Sequence, residues 1–159
     1  MKQQENQSIQ SLLVRGYRYA LTLCGSPAQA QDLVQEASLR VLQKGLPMNI
    51  GVLFRVIRNH FIDEVRKAKV RQKWAEQQPT THQHDHIKIA DPGLEKALQQ
   101  LAPDTRELLY LFVVEEYTAK ELAELTGKPR GTILSAVHRA KQKLRKMLAE
   151  SDQITQEYG

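Results

Sequence analysis

The chain has 159 residues, of which 41% are hydrophobic, 26% charged and 6% aromatic. This mixture is typical of a soluble globular protein. The net charge of +5 favours a polyanionic partner, nucleic acid ahead of a membrane surface, although a slightly basic solvated surface would carry the same charge. Cys24 is the only cysteine, which excludes an internal disulfide, and we interpret it as a packing residue.

No segment has the length and apolar character of a transmembrane helix. The longest apolar run, Leu108 to Val114, is too short to cross a bilayer. The first residues, Met1 to Gln7, are polar and lack the apolar stretch of a signal peptide. We therefore expect a cytoplasmic protein with no membrane insertion.

Two amphipathic helices are predicted at the start of the chain. The apolar spacing from Ser8 to Leu23 indicates a helix that ends at Gly25. Ser26-Pro27 has the form of a helix start, and Gln29 completes a capping box. The second helix is expected to run to about Lys44.

A third helix follows the predicted loop Gly45 to Ile50. Leu53, Ile57, Phe61 and Val65 recur every four residues, which predicts one buried face. The exposed side carries a run of basic residues: Arg55, Arg58, Arg66, Lys67, Lys69, Arg71 and Lys73. The first domain, residues 1–73, is therefore expected to end in a basic strip.

Apolar periodicity disappears over residues 74–92, which we interpret as a flexible linker. A histidine cluster lies within it, and the alternative to a solvated linker is a zinc or copper site. Because the segment has no rigid frame and no cysteine, we predict no metal. The cluster consists of His82, His84, Asp85 and His86.

The second domain is predicted to span residues 93–150, followed by a disordered polar tail at 151–159. After two short helices, Thr118 and Glu121 form a second capping box, and Gly127 ends the helix that they begin. A long helix then extends to about Ala149.

This arrangement is the outline of a helix-turn-helix. Between Glu124 and Glu150 there is no acidic residue, while the buried stripe is expected at Ile133, Val137, Ala140 and Leu144. A helix that is apolar on one side and cationic on the other suits a phosphate backbone, with a merely solvated cationic helix as the alternative. The fold class is thus predicted as all-α: two small helical domains joined by a flexible linker, the C-terminal one a helix-turn-helix. Neither a catalytic constellation nor a cofactor motif is evident, so we predict neither enzymatic activity nor a cofactor.

The residues of both domains resemble a known family. The segment LEKALQQLAPDTRELLYLFVVEEYTAKELAELTGKPRGTILSAVHRAKQKLRKML is similar to region 4 of extracytoplasmic-function (ECF) sigma factors of bacterial RNA polymerase. YRYALTLCGSPAQAQDLVQEASLRVLQK and LFRVIRNHFIDEVRKAKVR are similar to region 2 of the same family. The resemblance implies a protein that binds core RNA polymerase and directs it to promoter DNA, and it implies an anti-sigma factor as a further partner.

The resemblance also implies roles for individual residues. Core polymerase binding is expected at Asp32, Gln35, Glu36 and Arg40. The minus-ten element is expected to contact Arg55, Arg58, Asn59, Arg66 and Lys67, with an internal helix-bracing role as the alternative for Asn59. The minus-thirty-five element is expected to contact Arg130, Thr132, Leu134, Ser135, His138, Arg139 and Lys141.

Three positions depart from the family pattern. Val52 stands where a Trp is usual, and Leu134 and Ala136 stand where basic residues commonly flank Ser135. Each lost phosphate contact should flatten the salt dependence of DNA binding by up to about 0.9 in logarithmic slope. Leu134 could contact a thymine methyl instead, although we favour a packing role for it.

Two other functions would fit part of the pattern. A plain helix-turn-helix transcription regulator would explain the second domain and leave the first unexplained. A sigma-like protein that binds polymerase without selecting promoters would explain the three departures.

Overall fold

The computed structural model describes residues 8–74 and 92–157, and every regular element in these ranges is helical. The helices form two compact units that divide between Asp85 and His86. The predicted all-α class with two helical domains is therefore confirmed. Most of the predicted linker, including its histidines, lies outside the described residues, so the linker limits stay a prediction.

The first unit is a bundle of three helices, each packed against the other two. They are α1 (Ile9–Cys24), α2 (Pro27–Gln43) and α3 (Ile50–Trp74). Helix α1 ends at Gly25 as predicted: Gly25 takes the left-handed conformation with φ of 70° and donates its N–H to the Leu21 carbonyl. Glycine adopts this conformation without the steric cost that a side chain would add. The Ser26 hydroxyl accepts the Gln29 N–H at 3.4 Å, but the return bond from the Gln29 side chain that a capping box requires is not found among the described residues.

An aromatic pair forms the centre of this bundle. The Tyr19 and Phe54 rings lie 4.4 Å apart between centroids and are tilted by 37°. Both side chains are fully buried. Gly16 lets α1 approach α3 closely, since a Cβ there would lie 2.9 Å from Cδ2 of Leu53. The bundle thus has a tight core in spite of its small size.

The second half of α3 leaves this core. Of the predicted stripe, Leu53 and Ile57 are fully buried, whereas Phe61 and Val65 are only half-buried. From residue 66 to residue 74 every side chain is exposed. We call residues 66–74 the basic segment; its cations are Arg66, Lys67, Lys69, Arg71 and Lys73.

The second unit consists of four helices and one π-helical turn. They are α4 (Pro92–Gln99), α5 (Pro103–Leu109), the π-turn (Tyr110–Val114), α6 (Ala119–Thr126) and α7 (Arg130–Glu157). Helix α7 packs against α4, α5 and α6. It is the central element of the unit.

Helix α7 is longer than the sequence pattern predicted. It continues to Glu157 instead of ending near Ala149, so the prediction of disorder was wrong for residues 151–157. Neither glycine nor proline occurs between Thr132 and Tyr158, and nothing in that stretch stops a helix. The helix was predicted to end too early because its apolar periodicity stops before the helix does.

The chain leaves the π-turn through a strained residue. Glu116 has φ of 55°, the only positive value among the non-glycine residues that the structure describes. The following N–H, that of Tyr117, donates to the Leu111 carbonyl at 2.9 Å. The turn between the π-turn and α6 is therefore held by this backbone hydrogen bond, although Glu116 within it has an unfavourable conformation.

We expect Glu116→Gly to stabilise the second unit. An L-residue in the left-handed region costs about 1–2 kcal/mol, which glycine would not incur. Because glycine loses more conformational entropy on folding, the net increase in the free energy of unfolding should be about 0.5–1 kcal/mol. Hydrogen exchange of the α6 and α7 amides would measure the change. Glu124→Gly, at an exposed position inside α6, is the control and should lose about 1 kcal/mol. If both variants lost the same stability, Glu116 would not be in a strained conformation.

Candidate nucleic-acid interface

The predicted helix-turn-helix is present, and its first helix is capped in both directions. The Thr118 hydroxyl accepts the Glu121 N–H at 3.2 Å, and the Glu121 carboxylate accepts the Thr118 N–H at 2.8 Å. Gly127 ends α6 with φ of 74°. Residues 127–129 form the turn before α7. This capping box fixes where the first helix starts and hence how the turn presents α7.

A buried stripe fixes the rotation of α7 about its axis. Ile133, Val137 and Ala140 are 0%, 4% and 3% exposed. Leu144, the fourth residue predicted for the stripe, is only half-buried. Outside this stripe the helix is largely solvent-exposed, and six of the seven predicted minus-thirty-five residues are exposed: Arg130, Thr132, Leu134, Ser135, His138 and Arg139.

Lys141 differs from the rest of the predicted set. Its side chain is half-buried, and its ammonium nitrogen lies 4.8 Å from the centroid of the Phe112 ring. Phe112 belongs to the π-turn. A cation over an aromatic face is held by the ring quadrupole, so Lys141 braces α7 against the π-turn.

Arg139 stands beside a shallow groove on the other flank of α7. The groove has a volume of about 190 Å³ and is lined by Thr105, Ala136, Arg139 and Lys143, together with Leu101, Ala102 and Ala140. The small side chain of Ala136 leaves this space open. Two cations, Arg139 and Lys143, therefore flank a concave surface, where an anion would be attracted.

Arg106, on α5, is half-buried and makes its hydrogen bond within the second unit. Its Nη2 donates to the Leu101 carbonyl at 3.4 Å, and its Nε is buried without a hydrogen-bond partner among the described residues. Burial lowers the pKa of Arg106. The guanidinium therefore ties α5 to Leu101, shortly after the end of α4.

The residues predicted for polymerase binding lie along the outward side of α2. Asp32 and Gln35 are exposed. Glu36 and Arg40 form an ion pair one turn apart, with Nε 2.9 Å from Oε1. Because both side chains are partly solvated, this pair contributes only about 0.3–0.5 kcal/mol to stability and remains accessible to a partner.

The structure adds two apolar residues to this face that the sequence prediction missed. Leu39 is 52% exposed and Leu42 is 67% exposed, and they follow Asp32 and Gln35 by seven residues each. A spacing of seven returns to the same side of a helix. The helical periodicity of α2, counted outward from its buried residues, was the signal that would have identified them.

The residues predicted for the minus-ten element follow the solvent side of α3. Arg55, Asn59, Arg66 and Lys67 are exposed, whereas Arg58 is half-buried. Lys67 lies 3.7 Å from a Glu64 oxygen, a contact between exposed groups. The Asn59 side chain makes no hydrogen bond within the described residues, so the alternative bracing role has no support there.

Asn49 is a further residue of this region that was not predicted. Its side-chain oxygen accepts the N–H of Val52 at 3.0 Å and thereby starts α3. Val52, at the position of the family's usual Trp, is half-buried in the first turn of the helix. The start of α3 is thus fixed by a cap, and it offers little exposed apolar surface.

The residues of the histidine cluster, His82, His84, Asp85 and His86, lie outside the described residues, so the prediction that they bind no metal stays a prediction.

The Cys24 thiol is half-buried and donates to the Ser26 carbonyl at 3.3 Å, and burial raises its pKa. A raised pKa disfavours the reactive thiolate, in agreement with a packing role.

Comparison with known proteins assigns both units. Residues 9–45 match the family model for Sigma-70 region 2, and residues 93–144 match that for Sigma-70 region 4. The chain is 35% identical over 153 residues to the ECF RNA polymerase sigma factor SigL of Mycobacterium tuberculosis, covering 84% of this chain and 82% of SigL. It is 31% identical over 154 residues to SigE of Mycolicibacterium smegmatis, covering 89% of this chain but only 60% of SigE.

The fold has a counterpart among solved structures. The sigma factor RpoE from Bartonella quintana, crystallised in complex with the anti-sigma factor NepR, matches with a TM-score of 0.69 at 24% identity. The match covers 89% of this chain and 94% of that one.

The two region matches, in this order in one chain, define a sigma factor of the sigma-70 class. The similarity to SigL across most of both proteins narrows the assignment: the chain belongs to the family of ECF RNA polymerase sigma factors, which are transcription initiation factors. A plain helix-turn-helix regulator, the alternative without a region 2, is not supported. None of the described helices has the length and apolarity needed to cross a membrane.

The matched ranges support the predicted sites unequally. The residues predicted to bind polymerase, on α2, lie within residues 9–45, and those predicted to contact the minus-thirty-five element, on α7, lie within residues 93–144. The minus-ten residues on α3 lie beyond residue 45, outside the region 2 match. Their assignment depends on the resemblance of the α3 sequence to region 2, together with charge and exposure.

We expect Lys141→Ala to act on stability more than on DNA affinity. Loss of the contact with Phe112 should cost the second unit about 0.5–1 kcal/mol. The logarithmic salt slope of DNA binding should stay unchanged, because a side chain held on the protein neutralises no phosphate. Hydrogen exchange and salt titration measure the two effects. Lys143→Ala, an exposed neighbour on α7, is the stability control. A slope reduced by about 0.9 for Lys141→Ala, with unchanged stability, would instead identify a phosphate contact.

Proposed function

We propose that this chain binds core RNA polymerase through the outward face of α2 and directs it to promoters. In this proposal α3 contacts the opened minus-ten element, and α7 contacts the minus-thirty-five duplex. The observation that carries the proposal is the exposed polar face of α7, held in a capped helix-turn-helix within a chain that also has a region 2 bundle.

The charge of α7 supports binding to duplex DNA. No acidic residue occurs between Glu124 and Glu150, so no carboxylate in α7 before Glu150 competes with phosphates for its cations. In a helix-turn-helix the first turns of the second helix reach base edges, while flanking cations contact the backbone. We assign base contacts to the exposed residues from Arg130 to Arg139, and phosphate contacts to Lys143 and the cations after it. Lys141 is left out of the DNA-binding set because of its contact with Phe112.

The exposed cations of α3 support binding of the opened minus-ten strand. Arg55, Asn59 and the basic segment offer a run of donors along one helix. A cationic surface tracks a single strand through its phosphates, while aromatic side chains usually stack on the bases. Since Val52 replaces the usual Trp, binding of this strand should depend more on charge here.

The outward face of α2 supports a protein partner over a nucleic acid. It combines an acidic residue, Asp32, with the exposed side chains of Leu39 and Leu42. Apolar side chains surrounded by polar ones are typical of protein interfaces, whose centres exclude water. We assign this face, together with Gln35 and the Glu36–Arg40 pair, to core polymerase.

An anti-sigma factor is the further partner that we propose. The structural counterpart with this fold was crystallised with such a protein. A purified anti-sigma candidate should prevent this chain from joining core polymerase, and a candidate that leaves holoenzyme assembly unaffected is not its partner.

The first test is initiation by core polymerase on a library of promoter DNA. Wild-type protein should give discrete start sites. Arg139→Ala should reduce promoter occupancy at least about fivefold, because a base contact by arginine contributes about 1–3 kcal/mol. Its affinity for core polymerase should not change. Lys96→Ala, an exposed cation on α4, is the control and should behave as wild type.

Other outcomes of this assay would reject parts of the proposal. Loss of core binding in Arg139→Ala would mean that α7 serves the polymerase. Core binding by wild-type protein without any discrete start would identify a polymerase-binding protein that does not select promoters.

A second prediction concerns the apolar pair on α2. Leu39→Asp combined with Leu42→Asp should weaken core binding at least about tenfold, since a charge is placed in the dry centre of the interface. Both side chains are exposed, so the bundle should remain folded. Ile9→Asp is the matched control, as Ile9 is 66% exposed on α1 of the same bundle. If both variants weaken core binding equally, the contact is not specific to α2.

A further inference from the structure

Leu134 is an apolar side chain on a face that is otherwise polar. It is 44% exposed, so a large part of its apolar surface is in contact with water. Arg130 and His138, one turn before and one turn after it, are exposed, as is its neighbour Ser135. The packing of α7 is supplied by Ile133 and Val137 instead. A packing role for the covered part of Leu134, favoured from sequence alone, leaves the exposed part of the side chain available to a ligand.

The position of Leu134 makes it available to a base edge. It is the fifth residue of α7, which begins at Arg130. The N-terminal residues of such a helix are the ones that reach into the major groove. Gly131, one turn earlier, has nothing within 4 Å of where its Cβ would be, so the backbone can come close to a ligand on this side.

The chemistry of the major groove offers one apolar partner. Among the four bases only thymine presents a methyl group there, and the groups that distinguish the other bases are hydrogen-bond donors and acceptors. Leucine has neither donor nor acceptor, so it cannot pair with guanine as a basic residue at this position would. Contact with a thymine methyl removes two apolar groups from water at once.

We propose that Leu134 determines sequence specificity by contacting the C5-methyl group of a thymine in the minus-thirty-five duplex. This inference depends on the proposed function, in which α7 occupies the major groove. It adds the chemical group that α7 reads and a residue that reads it. Promoters used by this protein should accordingly contain a thymine where a basic residue would select guanine.

The test uses holoenzyme assembled from core polymerase and the full chain. A duplex library randomised over the promoter region is first selected for binding. In the best selected duplex, each upstream thymine is then replaced singly by deoxyuridine, which lacks only the C5-methyl. Wild-type holoenzyme should lose about fourfold in affinity at one thymine or at two adjacent ones, the effect of removing one buried methyl.

Three variants identify the residue responsible. Leu134→Ala should bind the thymine and deoxyuridine duplexes equally at that position. Leu134→Arg should instead select guanine there when the library is selected again. Val113→Ala is the matched control, because Val113 is 57% exposed in the π-turn of the same unit; it should discriminate as wild type does.

The outcomes separate this inference from the proposed function. If the library yields no enriched sequence, promoter recognition itself fails and the inference fails with it. If a sequence is enriched but wild type tolerates deoxyuridine at every upstream position, only the role of Leu134 is overturned. It is equally overturned if Leu134→Ala still discriminates, or if that variant binds core polymerase less tightly than wild type.

Discussion

Burial of a narrow apolar stripe on one side of α7 is the constraint on which the second unit depends. Ile133, Val137 and Ala140 face inward, and their burial determines which side chains of α7 face water. The remaining residues of α7 before Glu150 are mostly cationic or polar, so they determine its rotation much less than this stripe does. A few apolar contacts therefore decide which residues can meet DNA.

The beginnings of the helices were predictable because each depends on a short local signal. Ser26-Pro27 and the Thr118–Glu121 box act within a few residues, and the structure has helix starts at both. The end of α7 was not predictable in this way. Because no glycine or proline stops it, the helix continues after its apolar face has ended. Apolar periodicity indicates which residues of a helix are buried, so it does not show where an exposed helix ends.

The candidate sites were predictable in type but not in detail. The identity of the cationic residues on α7 was evident from charge, yet only the structure shows that Lys141 lies against Phe112, since the π-turn has no reliable sequence pattern. Leu39 and Leu42 were missed for a different reason. In a sequence an exposed leucine is identical to a buried one, and its exposure follows only when the buried face is known.

The two exposed helix faces follow one physical rule and differ in chemistry. In α2, as in α7, a buried stripe leaves the other side for binding: Leu33, Val34 and Ala37 are buried there. On α2 the exposed side combines leucines with a carboxylate and an ion pair, a surface that a phosphate backbone would repel and a protein groove could cover. On α7 the exposed side lacks carboxylates up to Glu150 and contains one leucine among polar residues. The same packing principle thus gives two exposed faces of different chemistry, and the few residues outside each stripe are the basis on which we propose a protein partner for α2 and DNA for α7.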